Sequence, residues 1–148
     1  MTDLRYPIGP FQMPESLTPE QIRAGIRVIA ETPAHLRKAV AGLNDAQLDT
    51  PYRPEGWTVR QVVHHVPDSH MNSYIRFKLA LTEDVPTIKP YDQDLWAKTV
   101  DCREPIENSL RLLETIHQRM VTLIESITPA EWVRKFRHPE ITSFRTAG

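Results

Sequence analysis

Two stretches of this chain set their apolar side chains in alternating steps of four and three, and that spacing confines them to helices sharing one core. The first reads Ile22, Ile26, Ile29, Pro33, Leu36, Val40, Leu43; the second reads Ile106, Leu110, Leu113, His117, Met120, Ile124, Ile127. Each pattern puts one stripe on one helix face, as in a bundle seam. Between them Val59, Val62, Val63, Val66, Ser73 and Phe77 make a looser stripe, with His70 inside it. Start signals precede all three. Thr18-Pro19-Glu20 combines a cap, a first-turn proline and an acid; Thr58 follows the large apolar Trp57; Glu104-Pro105 opens the last seam. Pro33 predicts a kink in the first helix or a second segment capped by Thr32. Thr128-Pro129-Ala130-Glu131 predicts a short helix through Phe136. No sustained β-branched alternation and no Asn-Gly or Asp-Gly turn speaks for strands. The fold class is therefore all-α, an antiparallel bundle of the four-helix type in which three long helices leave one side uncovered.

The 148 residues suit a single domain spanning 1–148, with an extended arm over residues 1–16, where Pro7, Pro10 and Pro14 alternate with Tyr6, Ile8 and Phe11, laid against the body. Thirteen prolines against five glycines punctuate helix starts and connectors. Eighteen basic and nineteen acidic residues leave a net charge of −1 with no Lys/Arg cluster, which argues against a nucleic-acid partner. No apolar run approaches the roughly 20 residues of a spanning helix, so a membrane partner is not expected and the protein reads as cytoplasmic. Cys102 is a lone cysteine among charged residues with no activating histidine beside it, and reads as incidental.

The chemistry concentrates in Trp57 to Arg76, where His64, His65, Asp68 and His70 fall within seven residues. At about 100° per residue, His65 shares one side of the helix with Gln61, Asp68, Asn72 and Arg76. His64 points away from that row, toward partial exposure. Two ligands from one helix need a spacing of three or four, and no histidine pair here has it. This helix can thus offer one imidazole, His65, with Asp68 one turn on as a ligand or orienting partner. His70 and His117 sit in apolar seams, where a buried, hydrogen-bonded structural histidine is the ordinary reading. The acid pairs Glu114 with Glu125 and Asp92 with Asp94 read as solvated charge. No nucleophile elbow, phosphate loop, dinucleotide fingerprint or C-x-x-C is present.

At this same segment the chain resembles the DinB-like superfamily of four-helix metalloproteins, in its branch of YfiT-type metal-dependent hydrolases. The likeness lies in RYPIG at 5–9, LDTPYR at 48–53, GWTVRQVVHHV at 56–66, DSHMNSYIRFKLALTE at 68–83, the run from Lys89 to Trp96, and His138-Pro139-Glu140. The resemblance implies one Zn or Ni ion held by a histidine of the long second helix and an H-x-x-x-H pair of a last helix, with positions open for water and a small-molecule substrate. The first ligand falls on His65. The likeness fades over residues 141–148, which implies a bundle lacking its last helix and an incomplete metal site. Gln61, Asp68, Asn72, Arg76 and His117 are then candidates for the surroundings of the ion. Two alternatives stand beside a hydrolase: a metal-dependent transferase of a low-molecular-weight thiol such as bacillithiol, and a non-catalytic helical module that forms a homodimer. Pro67 departs from the small helix former expected at its position.

Overall fold

The computed structural model describes residues 16–139 continuously, together with 4, 6, 8–10, 12 and 14 of the arm and the backbone of 141–145. Three long helices dominate: α1 (Pro19–Val40), α3 (Val59–Thr82) and α5 (Glu107–Glu125). A one-turn helix α2 (Asp45–Leu48) joins the first two, while α4 (Gln93–Trp96) and a 3₁₀ turn (Val100–Arg103) lie in the connection to α5. Local chemistry starts α1, α2 and α3 in the same way. Thr18, Asn44 and Thr58 each accept the backbone N–H of a glutamine three residues on, and that glutamine's side chain in turn accepts the capping residue's N–H. These reciprocal boxes satisfy donors that a helix start otherwise leaves orphaned.

The seams meet as the periodicity requires, in two apolar clusters. Val40, Val63 and Leu110 gather with Leu36, Leu43, Val59 and Ile106 at one end. At the other, Met120, Ile124 and Ile127 pack with Ile26, Ile29, Tyr74, Phe77 and Leu81. Helix directions follow from these groupings. Residues early in α3 meet residues early in α5, and late meet late, so those two helices run parallel; α1 runs antiparallel to both. The antiparallel arrangement expected from the sequence therefore holds for α1 only. The connection from Glu83 to Ile106 carries the chain back along the bundle before α5 begins, which is what makes a parallel pair possible.

Two local expectations are corrected. The segment after Pro129 forms turns rather than a helix and then a strand, β1 (Lys135–His138), paired antiparallel with β2 (Ile141–Arg145). The segment after α3 bonds to β1, the Ile88 N–H donating to the Arg137 carbonyl and the Arg137 N–H to the Pro86 carbonyl. Long-range pairing thus overrode a weak local helix signal. In the arm, Ile8 is 99% exposed and does not pack on the bundle; Pro7 and Phe11 lie outside the described residues, as do the side chains of 141–148.

Both internal prolines are accommodated without ending their helices: α1 continues through Pro33 and α3 through Pro67. The Pro67 ring is among the most completely buried groups in the protein. Its missing N–H forgoes the bond to the Val63 carbonyl, a cost of roughly 3 kcal/mol in a helix interior, while its extra ring carbons contribute roughly 1.6 kcal/mol of burial relative to alanine. Pro67→Ala is expected to stabilise the fold by about 1 kcal/mol, raising the urea midpoint; an unchanged or lowered midpoint would refute that balance.

Candidate functional site

His65 stands half-buried on α3, on the side that the crossover connection approaches. The capping-box residue Gln61 donates its side-chain amide to the Ala97 carbonyl at 2.8 Å, tying the 3₁₀ approach to this face. Trp57 lies edge-on to the His65 ring, with ring centres 4.7 Å apart at 67°. The indole is itself held by a bond from Nε1 to the Asp94 carboxylate at 3.0 Å. Asp94 is therefore not idle charge, and neither is its neighbour Asp92, whose carboxylate caps α4 by accepting the Asp94 and Leu95 N–H groups. The sequence marked Trp57 only as a packing residue; its contact with His65 depends on the crossover folding back, which no local pattern reports.

The electrostatics suit a ligating imidazole. Burial lowers the His65 pKa, against the upward pull of the Asp68 and Asp94 charges, so the ring is neutral at neutral pH. Asp68 is pushed up, first by burial and then by Asp101, with His65 and His64 pulling back down. Asn72 donates to the Asp68 backbone carbonyl, an i−4 bond that occupies its amide. Arg76 is partly exposed on the same helix side. Together with Gln61, whose side chain is committed to its cap and to Ala97, these residues surround His65 on its side of the helix. Among the described residues no group of three His, Cys, Asp or Glu side chains could hold a metal ion. The donor set present does not by itself fit a catalytic ion, which typically takes three protein ligands. An open cleft of about 700 Å³ beside this face, lined by Arg60, Gln61, Lys98 and Cys102, does not include His65. The Cys102 thiol in it is pushed up by burial and is inert at neutral pH.

Of the other histidines, His64 is placed differently from what the helical wheel suggested, while His117 is the buried, hydrogen-bonded seam residue expected. His64 is buried, not exposed: Nδ1 meets the Ser109 hydroxyl at 2.7 Å and Nε2 the Glu104 carbonyl at 3.0 Å, so it fastens α3 to the start of α5. Arg60, one turn earlier and also buried, reaches Asp45, Asp49 and the same Glu104 carbonyl. Glu114, expected to be solvated, accepts a bond from Arg37, which also grips Glu107. His117 does not reach toward His65. It is 2% exposed, with Nε2 at 2.5 Å from His70 Nδ1 and Nδ1 at 2.5 Å from the Ile29 carbonyl. The Ile29 carbonyl is the one that Pro33, four residues on, cannot engage. The bond was invisible to a single-helix reading because it joins three helices.

Burial, with the neighbouring imidazoles of His117 and His65 adding to it, pushes the His70 pKa down to about 4. Between pH 6.5 and about 4 the unfolded chain therefore binds a proton that the native protein does not, so stability is full above 6.5 and falls as the pH drops. The ring is partly exposed, so solvent screening holds the loss attributable to His70 well below the full linkage value. Urea midpoints at pH 7 and 4.5 should fall steeply for the natural chain and less for His70→Gln; equal falls would show that His70 is not the group responsible.

The model of the DinB superfamily matches residues 29–148. A protein of Bacillus mycoides is 54% identical over 140 residues, covering 95% of this chain and 81% of its own length, and a Bacillus cereus protein matches to the same extent. Their names class them, by inference, as metal-dependent hydrolases. Among solved structures, YfiT from Bacillus subtilis, described as a probable metal-dependent hydrolase with an unusual four-helix bundle topology, superposes with a TM-score of 0.95 at 47% identity. That match covers 99% of this chain and 85% of YfiT.

Proposed function

Because the chain belongs to the DinB superfamily, we propose that it works as a metal-dependent hydrolase of small molecules, with a Zn or Ni ion taking His65 as a ligand. The single observation that carries this reading is the His65 imidazole, neutral, half-buried and braced by Trp57 against Asp94, at the position where the family resemblance puts its helix-borne ligand. A divalent ion held by His65 with further donors would supply a Lewis acid for the substrate's polar group. The chain's own residues do the rest: Trp57 fixes the ring plane, and burial keeps the nitrogen free of a proton. The Asp68 carboxyl beside it is a candidate acceptor for the far ring nitrogen. A full ligand set would need donors in addition to those of the described residues. The protein is cytoplasmic and works as a homodimer in this reading.

One imidazole and a nearby carboxyl hold an ion weakly. Titrating the chain with Zn²⁺ or Ni²⁺ is therefore expected to move or broaden the His65 ring signals first in an NMR spectrum, at weak affinity, and to leave His64 and His117 unmoved. A tight site that ignores His65 would overturn the proposal. Transfer of a thiol is the second reading, and the same titration repeated with a low-molecular-weight thiol present separates the two: only a thiol-binding site gains metal affinity from it.

A further inference from the structure

Between the two apolar clusters runs a polar layer, made by α1, α5 and α3 together. It begins at Pro33, whose ring leaves the Ile29 carbonyl without its helical partner. His117 Nδ1 lies 2.5 Å from that carbonyl, and a carbonyl can only accept, so Nδ1 carries the proton. In the neutral ring Nε2 is then an acceptor. His70 Nδ1 lies 2.5 Å from it and must donate. The His70 proton is thereby assigned to Nδ1, and its Nε2 is left as a bare lone pair. No group among the described residues bonds that nitrogen, and no buried side-chain nitrogen or oxygen lacks a partner, so His70 Nε2 meets solvent. Every link is a consequence of the one before it.

We propose that His70 is a proton-accepting residue, its Nε2 lone pair held toward solvent by a relay in which Pro33 and His117 are the positioning residues. Its chemical partner is a protic nucleophile, water or a thiol. In the step it serves, the O–H or S–H bond breaks, an N–H bond forms at Nε2, and the electron pair stays on oxygen or sulfur. The imidazolium so formed still donates from Nδ1 to His117, so accepting the proton does not break the relay. The ring is otherwise kept neutral at physiological pH by its burial. His70 stands five residues beyond His65 on α3, a rise of about 7.5 Å. Its role in turnover rests on the metal-dependent reading above; the protonation pattern does not.

The experiment is a long-range ¹H–¹⁵N correlation of the histidine rings at pH 7, on the full chain without metal. His70 and His117 are expected to appear as Nδ1–H tautomers. Pro33→Ala supplies an amide for the Ile29 carbonyl in competition with His117, and is expected to shift the His70 nitrogen signals toward a mixture of tautomers although the substitution alters neither ring. His117→Leu should do the same more fully, if it folds; Pro33→Ala keeps the test decisive if it does not. Diethyl pyrocarbonate should acylate His70 in the natural protein while sparing His64 and His117, whose ring nitrogens are engaged. A proton on His70 Nε2, tautomers indifferent to Pro33→Ala, or His70 spared by the reagent would each overturn the proposal. Loss of the metal response at His65 would instead overturn the functional reading and leave this one standing.

Discussion

Joining a relative's final helix, with the H-x-x-x-H pair that the family resemblance implies, after residue 140 is expected to convert a weak metal binder into a tight one, and His65→Ala in that fusion is expected to undo it. Three neutral imidazoles make the ligand set of a catalytic zinc, whereas the described residues of this chain assemble no three-donor group. Loss of a group that merely orients a ligand costs about 10–100-fold in affinity, so loss of a ligand itself should exceed about 100-fold. Calorimetry with Zn²⁺ and Ni²⁺ reads both effects. If His65→Ala in the fusion keeps the affinity within about tenfold, His65 is at most a neighbour of the ion, and the functional reading loses the residue it rests on.

Removing the His117 ring should have the largest effect on stability. His117→Leu keeps the volume near that of imidazole but strands the Ile29 carbonyl and the His70 N–H in the interior. Each unsatisfied group costs about 1–3 kcal/mol, giving a loss of about 2–6 kcal/mol. The layer makes a further demand on a double-mutant cycle. With Pro33→Ala in place the Ile29 carbonyl regains a helical partner, so adding His117→Leu should cost about 1–3 kcal/mol less than it does alone. Urea unfolding of the four chains gives the coupling directly. Additive effects would mean that the Ile29 carbonyl is satisfied in some other way.

The helices of this protein are legible in its sequence because their causes are local or periodic. Thr18 and Thr58 cap with a glutamine three residues on, and the steps of four and three from Ile22 to Leu43 and from Ile106 to Ile127 name the buried face. The resemblance likewise pointed to His65 from a contiguous motif. The rotation of each histidine within a helix could be computed as well, but rotation says nothing about which neighbour stands opposite. The burial of His64 between Ser109 and the Glu104 carbonyl, and the bracing of His65 by a tryptophan tied to Asp94, both wait on a 24-residue crossover that no short-range signal orients.

Helix direction is the plainest case. A stripe buries its apolar surface equally well against a parallel or an antiparallel neighbour, because burial is non-directional; the path of the connection chooses, and here it sets α3 parallel to α5. The strand at Lys135–His138 was decided by its pairing with Ile141–Arg145 and its bonds to the distant Pro86 and Ile88, against a local preference for helix. The polar layer shows the division most finely. From the sequence one can read that Pro33 leaves a carbonyl unpaired and that His70 and His117 lie in seams. Which imidazole answers that carbonyl, and hence which nitrogen of His70 is left bare, is decided only when three helices meet at one level, since a hydrogen bond depends on distance and direction that a one-dimensional pattern does not contain.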